Sequence, residues 1–147
     1  MTERESVRWT VRPIGVVHSP FSGERRPPPQ PALAGEEAVG TVEVFPEYEE
    51  GLDQVEMLPR IWIVSWLDRA GPVRMRLVPR GRTGMRGLFT TRAPSRPNPI
   101  GISPVRLLRR DGLVLHVSGL DLMDGTPVLD IKPYMPQIDA FADEPEV

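Results

Sequence analysis

The chain contains no cysteine and only two histidines, His18 and His116, among its 147 residues. Without cysteine there is neither a disulfide framework nor a thiolate metal site, and two histidines are too few for a histidine-based zinc centre. No stretch approaches the 18 consecutive apolar residues of a membrane-spanning helix, and the first residues lack the apolar core of a signal peptide. These absences favour a single cytoplasmic domain, residues 1–147, without a bound metal.

The sequence also lacks the glycine-rich phosphate loops of common nucleotide-binding folds and the nucleophile elbow of hydrolases. Lysine is almost absent, because 17 of the 18 cationic residues are arginine. Twelve arginines and one acid lie between Arg60 and Arg110, whereas eight acids and no base lie between Glu36 and Glu56. The planar guanidinium suits bidentate contacts with phosphate or carboxylate. The arginine-rich half therefore indicates either a face for such a partner or a solvated face balanced by the acidic segment.

Prolines and glycines, 18 and 13 of them, divide the chain into short apolar or alternating runs. These runs predict strands, and the nearly apolar run 60–67 predicts a strand buried on both faces. Asp111-Gly112 predicts a hairpin turn, and 46–58 predicts a short helix broken by Gly51. We expect a mainly all-β fold, a small antiparallel β-barrel with one or two short helical segments, with an ordered core over 8–137 and an acidic tail over 138–147. The predicted strands are 7–17, 38–45, 60–67, 73–79, 102–108, 113–119 and 126–133.

Two arginine-bearing segments are candidates for binding. In RGRTGMRG (80–87), glycines let backbone N–H groups approach a phosphate while Arg80, Arg82 and Arg86 supply charge, although a flexible exposed loop explains the same pattern. In RAPSRPNPIG (92–101), three prolines fix φ, so the loop loses little entropy when a ligand binds. We interpret this loop as a preorganised clamp that carries Arg92 and Arg96.

Other side chains have a structural and a functional interpretation. Trp62 and Trp66 share one face of a strand, and core packing is favoured over stacking on a base. His18 at a strand end is favoured as a structural histidine over a proton shuttle. Asp121 and Asp124 flank a tight turn, where carboxylates can accept hydrogen bonds from ribose hydroxyls or an ammonium group.

Three blocks resemble the signature blocks of the YaeB/TrmO-like family: PIGVVHSPF (13–21), GLFTTRAPSRPNPIGIS (87–103) and SGLDLMDGTPVLDIKPYMP (118–136). The resemblance runs from about residue 12 to 137. It implies a small barrel outside the Rossmann plan, usually dimeric, that binds S-adenosyl-L-methionine. It also implies methyl transfer to threonylcarbamoyl-adenosine at position 37 of tRNA, in the anticodon stem-loop. Longer bacterial relatives carry a C-terminal domain after the barrel, which we expect this chain to lack.

The resemblance also implies residue roles. The family's Pro-Arg-Gln reads Pro-Pro-Gln here, and Asp68-Arg69 stands where some members have His-Gln. Arg92 matches the arginine of the proline-rich block, and Ile102 stands at an apolar cofactor position. The implied cofactor-binding residues are Pro28, Pro29, Gln30, Asp68, Arg69, Arg92, Ile102, Asp121, Leu122, Met123 and Asp124.

The chemistry of methyl transfer predicts the remaining roles. Arg92 suits the carboxylate of the donor's methionine end, while Arg96 and Asn98 suit tRNA phosphate or sugar, together with the arginines of 80–87. Asp130, Lys132 and Tyr134 are candidates for assisting the acceptor nitrogen, or else form a structural salt bridge and a packed phenol. Two alternatives stay open: a methyltransferase of the same family with another acceptor, and a non-catalytic barrel that binds RNA or anions.

Overall fold

The computed structural model describes residues 6–23, 25–27 and 38–147. Its central feature is a closed antiparallel barrel, which confirms the predicted fold class. Six strands follow one another around the barrel in the order β1, β2, β7, β6, β3, β8. Their bounds are β1 Gly15–His18, β2 Gly40–Val44, β3 Arg60–Trp66, β6 Ile100–Asp111, β7 Val114–Ser118 and β8 Pro127–Pro133.

Alternating burial along β3 shows how the barrel is filled. Ile61, Ile63 and Ser65 are fully buried, whereas the residues between them are only half-buried on the outer face. The predicted strand buried on both faces is therefore wrong, because one face of a barrel strand meets solvent. For the same reason Trp62 and Trp66 do not belong to the core, contrary to the favoured interpretation.

The two Asp-Gly pairs have different roles. Asp111 ends β6 and Gly112, with a φ of 61°, opens the hairpin to β7, as predicted. Gly125 also has a positive φ, 83°, but the strands before and after it, β7 and β8, are not neighbours in the barrel. The turn at Asp124-Gly125 thus belongs to a connection across one end of the barrel.

Two predicted strands are much shorter than expected. Within 7–17 only the last residues join the barrel, and Val7, Trp9 and Val11 lie exposed ahead of it. Pro13 lacks the N–H that a strand continuing in that direction would need. Within 73–79 only β4 (Arg76–Leu77) is a strand, paired with β5 (Arg86–Gly87) in a separate sheet. Both β4 and β5 belong to residues 67–99. This segment leaves the barrel between β3 and β6, and we call it the arm.

The predicted helix over 46–58 forms two 3-10 helices, Pro46–Leu52 and Val55–Met57. Gly51 does not break them; the break comes at Gln54, whose φ is 65°. A further 3-10 helix spans Leu88–Thr90, and a short α-helix, α1, spans Pro136–Asp139, so regular structure extends into the predicted tail. Within the described residues, no helix has the length and apolar character needed to span a bilayer.

Candidate functional site

The end of the barrel where β3 finishes and β6 and β8 begin is called the loop end. The register fixes this arrangement, since Trp66 pairs with Ile100 and Ser65 pairs with both Gly101 and Val128. β1 also finishes here, and the connection 119–126 crosses here. All three sequence blocks singled out above therefore meet at one place.

Asp121 is the most perturbed carboxyl group at the loop end. Its Oδ1 accepts a hydrogen bond of 2.6 Å from Ser103 Oγ, and the side chain of Ser103 is fully buried. Burial raises the pKa of Asp121 to about 6, although the Ser103 hydrogen bond, a backbone hydrogen bond and the positive charge of Arg92 all act in the opposite direction. The charge of Arg92 is the weakest of these influences, and it puts a cation within electrostatic range of the Asp121 carboxyl group.

Asp124 ties the connection 119–126 to the segment after β1. Its Oδ1 accepts from the Ser19 backbone N–H at 3.0 Å, and its own N–H donates to Phe21 O at 2.8 Å. Ser19 Oγ in turn donates to Leu122 O at 2.6 Å. His18, bonded to Glu43 at 2.8 Å, stands 3.9 Å from Asp124, which agrees with its interpretation as a structural histidine. The turn from Asp121 to Asp124, called the aspartate turn below, is thus held by hydrogen bonds to its backbone and to the Asp124 carboxylate.

Asp68 and Arg69 follow β3 and reach the same turn. Arg69 Nε lies 3.6 Å from Asp68 Oδ1, and its terminal nitrogen donates to the backbone carbonyl of Asp124. Both side chains remain partly exposed. The structure therefore brings this predicted pair into contact with the predicted aspartate turn, even though the two lie far apart in sequence.

The loop 92–101, called the proline loop below, is anchored to the barrel by its backbone. Leu67 N–H donates to Pro99 O at 2.7 Å, directly beyond the last residue of β3. Arg96 Nη1 donates to the carbonyls of Thr91 and Ala93 at 2.9 and 3.0 Å, and its guanidinium lies 5.8 Å from the Phe89 ring centre. Arg96 thus braces the loop, whereas Arg92 and Asn98 are exposed on it.

Two inward-facing serines at the loop end were missed by sequence reasoning. Ser65 Oγ is fully buried and has no hydrogen-bond partner within the described residues. A Cβ added to its strand partner Gly101 would lie 2.7 Å from Ser65 Oγ. Only glycine therefore fits at position 101 without displacing the serine. The sequence did contain a signal for them, because Ser65 and Ser103 are polar residues at inward-facing positions of otherwise apolar strands. Such a residue needs a partner.

The remaining predicted cofactor residues differ from these in their position and burial. Leu122 is packed into the barrel core and offers its carbonyl rather than its side chain, and Met123 O accepts from Thr126 Oγ1 at 2.6 Å. Ile102 lies on the outer face, paired with Val64 and 46% exposed. The residues Pro28, Pro29 and Gln30 lie outside the described part of the chain.

The three catalytic candidates lie on β8 and just after it. Lys132 forms a 3.0 Å salt bridge with Asp130, which is level with Val64. Tyr134 N–H donates to Arg60 O, and its ring centre lies 5.6 Å from that of Trp62. Arg60 begins β3, and six residues at about 3.3 Å each put it roughly 20 Å along the strand from Trp66. Tyr134 is therefore not brought to the loop end within one chain.

The arginines of 80–87 lie on the arm, in or near the short sheet of β4 and β5. Arg82 donates to Val147 O at 2.9 Å and Arg80 to Pro27 O at 3.3 Å, while Arg86 is half-buried in β5. Both hydrogen bonds are to main-chain or terminal oxygens.

Comparison with known proteins agrees with this geometry. Residues 16–140 match the family described as the tRNA-methyltransferase O N-terminal domain. An S-adenosyl-L-methionine-binding protein of Archaeoglobus fulgidus is 46% identical over 129 residues, which cover 88% of this chain and 91% of that protein. The tRNA (adenine(37)-N6)-methyltransferase of Escherichia coli is 34% identical over 145 residues, covering 88% of this chain and 59% of that protein.

The fold agrees with solved structures as well. The crystal structure of TrmO from Pseudomonas aeruginosa superposes with a TM-score of 0.79 at 41% identity, and the match covers 95% of this chain and 61% of that one. The chain thus spans about three fifths of that solved protein. Sequence, barrel topology and the convergence of the three blocks agree, and the chain belongs to the TrmO family through its N-terminal barrel domain.

Proposed function

We propose that the chain is an S-adenosyl-L-methionine-dependent methyltransferase that methylates N6 of threonylcarbamoyl-adenosine at position 37 of tRNA, in the cytoplasm. The observation that carries the proposal is that the buried Asp121 carboxyl group at the loop end lies within electrostatic range of the Arg92 guanidinium. A zwitterionic amino-acid end binds where one site offers both a cation and a carboxylate, and these two residues carry those charges. The relatives named for S-adenosyl-L-methionine binding and for tRNA methylation support it.

The chemistry of the loop end fits such a donor. The carboxylates of Asp121 and Asp124 at this end can accept hydrogen bonds from an ammonium group or from ribose hydroxyls. S-adenosyl-L-methionine, when bound, supplies an electrophilic methyl group on a sulfonium. The chain then has to orient the acceptor nitrogen in line with that methyl group, and positioning of this kind is worth roughly 7–11 kcal/mol.

Each residue has a distinct part in this proposal. Arg92 binds the donor's carboxylate, and Asp121, ionised and oriented by Ser103, accepts from its ammonium group. Asp68 and Arg69 hold the turn at Asp124 in place, so its carboxylate can accept from ribose hydroxyls. Pro28, Pro29, Gln30, Leu122, Met123 and Ile102 complete the proposed donor site, through backbone groups in the case of Leu122.

The acceptor side is proposed on the arm. The exposed Asn98 and the arginines Arg80, Arg82 and Arg86 would contact phosphates and sugars of the anticodon stem-loop. Arg96, which is occupied with its own loop, would act by keeping that loop rigid rather than by gripping RNA alone. Asp130, Lys132 and Tyr134 keep their proposed assisting role only if a second chain brings Tyr134 to the acceptor, since Tyr134 lies roughly 20 Å along β3 from the loop end.

We also propose a homodimer, because the arm exposes apolar side chains that a monomer would leave in water. Five large apolar residues of the arm are at least half exposed: Val73, Met75, Val78, Met85 and Phe89. Such a concentration marks an interaction surface. Light scattering tests the state, and a monomer at micromolar concentration would contradict the proposal.

The direct test is nucleoside mass spectrometry of tRNA incubated with the chain and S-adenosyl-L-methionine. We expect a methyl group on threonylcarbamoyl-adenosine and none with the Arg92→Ala variant. Donor binding without methylation of this nucleoside would point to another acceptor. The absence of both donor binding and methylation would refute the methyltransferase assignment.

A further inference from the structure

A cleft on the outer surface lies at the start of β3, away from the loop end. It has a volume of about 180 Å³ and is lined by Pro59, Arg60, Arg106, Tyr134 and Pro136. Backbone hydrogen bonds fix its walls, because Pro59 O accepts from Leu107 N–H at 3.0 Å and Arg60 O accepts from Tyr134 N–H at 3.1 Å. The donor site uses none of these five residues. We call this feature the arginine cleft.

The two arginines of the cleft occupy directly opposed positions of neighbouring strands, since Arg60 pairs with Arg106 in the β3–β6 register. Like charges at such positions repel and destabilise a sheet. Arg60 donates one bond, to the carbonyl of Pro104 at 2.8 Å, and a guanidinium has five N–H donors. An anion bound between the two side chains would offset this repulsion.

Aromatic rings stand beside the arginines. Tyr134 lines the cleft, and Trp62 lies 5.6 Å from it between ring centres on the same outer face. Trp62 is held by a 3.0 Å hydrogen bond from Nε1 to Asp139 Oδ2. Basic side chains interleaved with aromatic rings are typical of surfaces that bind single-stranded nucleic acid, where rings stack on bases and cations meet phosphates.

The position of the cleft suits an extended ligand. Arg60 lies roughly 20 Å along β3 from Trp66 at the loop end, given about 3.3 Å per residue. A small donor molecule cannot reach both the cleft and the loop end, whereas a folded RNA stem-loop can contact the protein at two sites. The cleft offers one phosphate-sized cationic gap and one ring, a set that fits a nucleotide unit of a longer strand.

We propose that the arginine cleft is a second RNA contact, in which Arg60 and Arg106 take a backbone phosphate and Tyr134 stacks on a nucleobase of the substrate tRNA. This inference rests on the proposed tRNA substrate and names a part of the surface that binds it. The site is distinct from Arg80, Arg82 and Arg86 on the arm. It would hold the RNA at a distance while the target base reaches the loop end.

The experiment measures anisotropy of a fluorescent, synthetic anticodon stem-loop RNA titrated with the full chain. We expect Arg106→Ala to raise the dissociation constant roughly tenfold, as for loss of a charge-assisted contact. The slope of log affinity against log salt should fall in magnitude by about 0.7, the value for one phosphate on a single strand. Tyr134→Ala should weaken binding at least about fivefold, whereas Tyr134→Phe should keep the parent affinity because the ring remains.

The matched control is Arg109→Ala, which removes the same charge from the same strand at the exposed hairpin, where Arg109 bonds Asp111. It should change RNA affinity by less than about twofold, the scale of an exposed ion pair. Titration with S-adenosyl-L-methionine reports on folding, since every variant here should bind the donor as the parent does.

Each other outcome has a definite meaning. Parent-like RNA affinity in Arg106→Ala and Tyr134→Ala, with the parent binding RNA, would overturn the cleft proposal and leave the proposed function standing. A parent that binds the donor but not the RNA would refute the tRNA substrate and the cleft together. Displacement of the RNA by inorganic phosphate or adenosine monophosphate at equal affinity would make the cleft a site for small anions. A changed oligomeric state in Arg106→Ala would make it a subunit interface.

Discussion

The barrel and the arm differ in what determines their conformation. The barrel buries a continuous apolar core that includes Val17, Ile63 and Leu115, all fully buried. In the arm, residues 67–99, only Leu88 is buried, while Phe89 is 73% exposed. The arm is instead fixed by prolines and by scattered backbone bonds such as Arg74 N–H to Ser95 O. The conformation of the barrel is thus fixed by its own core, whereas the arm exposes a surface suited to a binding partner.

The largest effect expected from this difference is on stability. Ile63→Ala should lower the free energy of unfolding by about 2–5 kcal/mol, because it leaves a cavity in a closed core. Phe89→Ala removes a larger side chain from the arm but should change stability by less than about 0.5 kcal/mol in the monomer. Urea unfolding of both variants checks this contrast. Equal losses would show that the arm is part of the folding core.

The two arginines of the proline loop should differ in donor binding. Arg92→Ala should weaken S-adenosyl-L-methionine binding by roughly 1.5–3 kcal/mol through loss of a charge-assisted pair. Arg96→Ala should have a smaller effect, because Arg96 bonds carbonyls of its own loop. Isothermal titration compares them. Equal losses would contradict the separate roles, and so would no loss in either.

The pKa of Asp121, raised by burial to about 6, predicts a pH dependence of donor binding. The donor's ammonium group requires the ionised carboxylate, so affinity should increase with pH up to about 6 and then level off. At pH 5 it should be about tenfold weaker than at pH 7, since a carboxyl group with a pKa of about 6 is roughly 9% ionised at pH 5 and roughly 91% ionised at pH 7. Removing the hydrogen bond with Ser103→Ala, or the charge with Arg92→Ala, should move the midpoint to higher pH. A flat profile between pH 5 and 7 would exclude Asp121 as the ammonium partner.

The same pKa has a consequence for folding. Because the folded-state pKa lies above the ordinary value of 3.8, the native state binds the proton more tightly between pH 4 and 6. The contribution of Asp121 to stability therefore falls as pH rises through this window and is constant above it. In Asp121→Asn this component should disappear from a plot of stability against pH.

The smallest effect is expected on the arm. Replacing Arg80, Arg82 and Arg86 together with alanine should reduce the magnitude of the salt slope for anticodon stem-loop binding by about 2, at roughly 0.7 per phosphate. Donor affinity should not change, because the proposed donor site includes none of these side chains. An unchanged salt slope would identify the arm's arginines as solvated surface.

The sequence predicted the barrel better than the arm, for a physical reason. Alternation in 38–45 and the Asp111-Gly112 turn are local signals that the barrel preserves. The failed strand over 73–79 had the same alternation but no neighbour along most of its length, and pairing cannot be read from one segment. Trp62 and Trp66 were assigned to the core because an apolar run does not reveal which of its faces meets solvent.

The residues of the proposed site follow from the sequence only in part. Family resemblance supplied Arg92 and the turn from Asp121 to Asp124, and the fold brought them together. Polar residues at inward-facing positions could have drawn attention to Ser65 and Ser103, but their contacts depend on the β3–β6 register and on the close approach at Gly101. The separation of Tyr134 from the loop end likewise depends on the direction of β8, which sequence spacing does not give.

The central claim is that the loop end binds S-adenosyl-L-methionine through Arg92 and Asp121. Isothermal titration of the parent, Arg92→Ala and Asp121→Asn with this donor at pH 7 tests it most directly. We predict measurable binding by the parent and a loss of roughly tenfold or more in each variant, as for a charge-assisted contact. No binding by the parent, or parent-like binding by both variants with their fold intact, would contradict the claim.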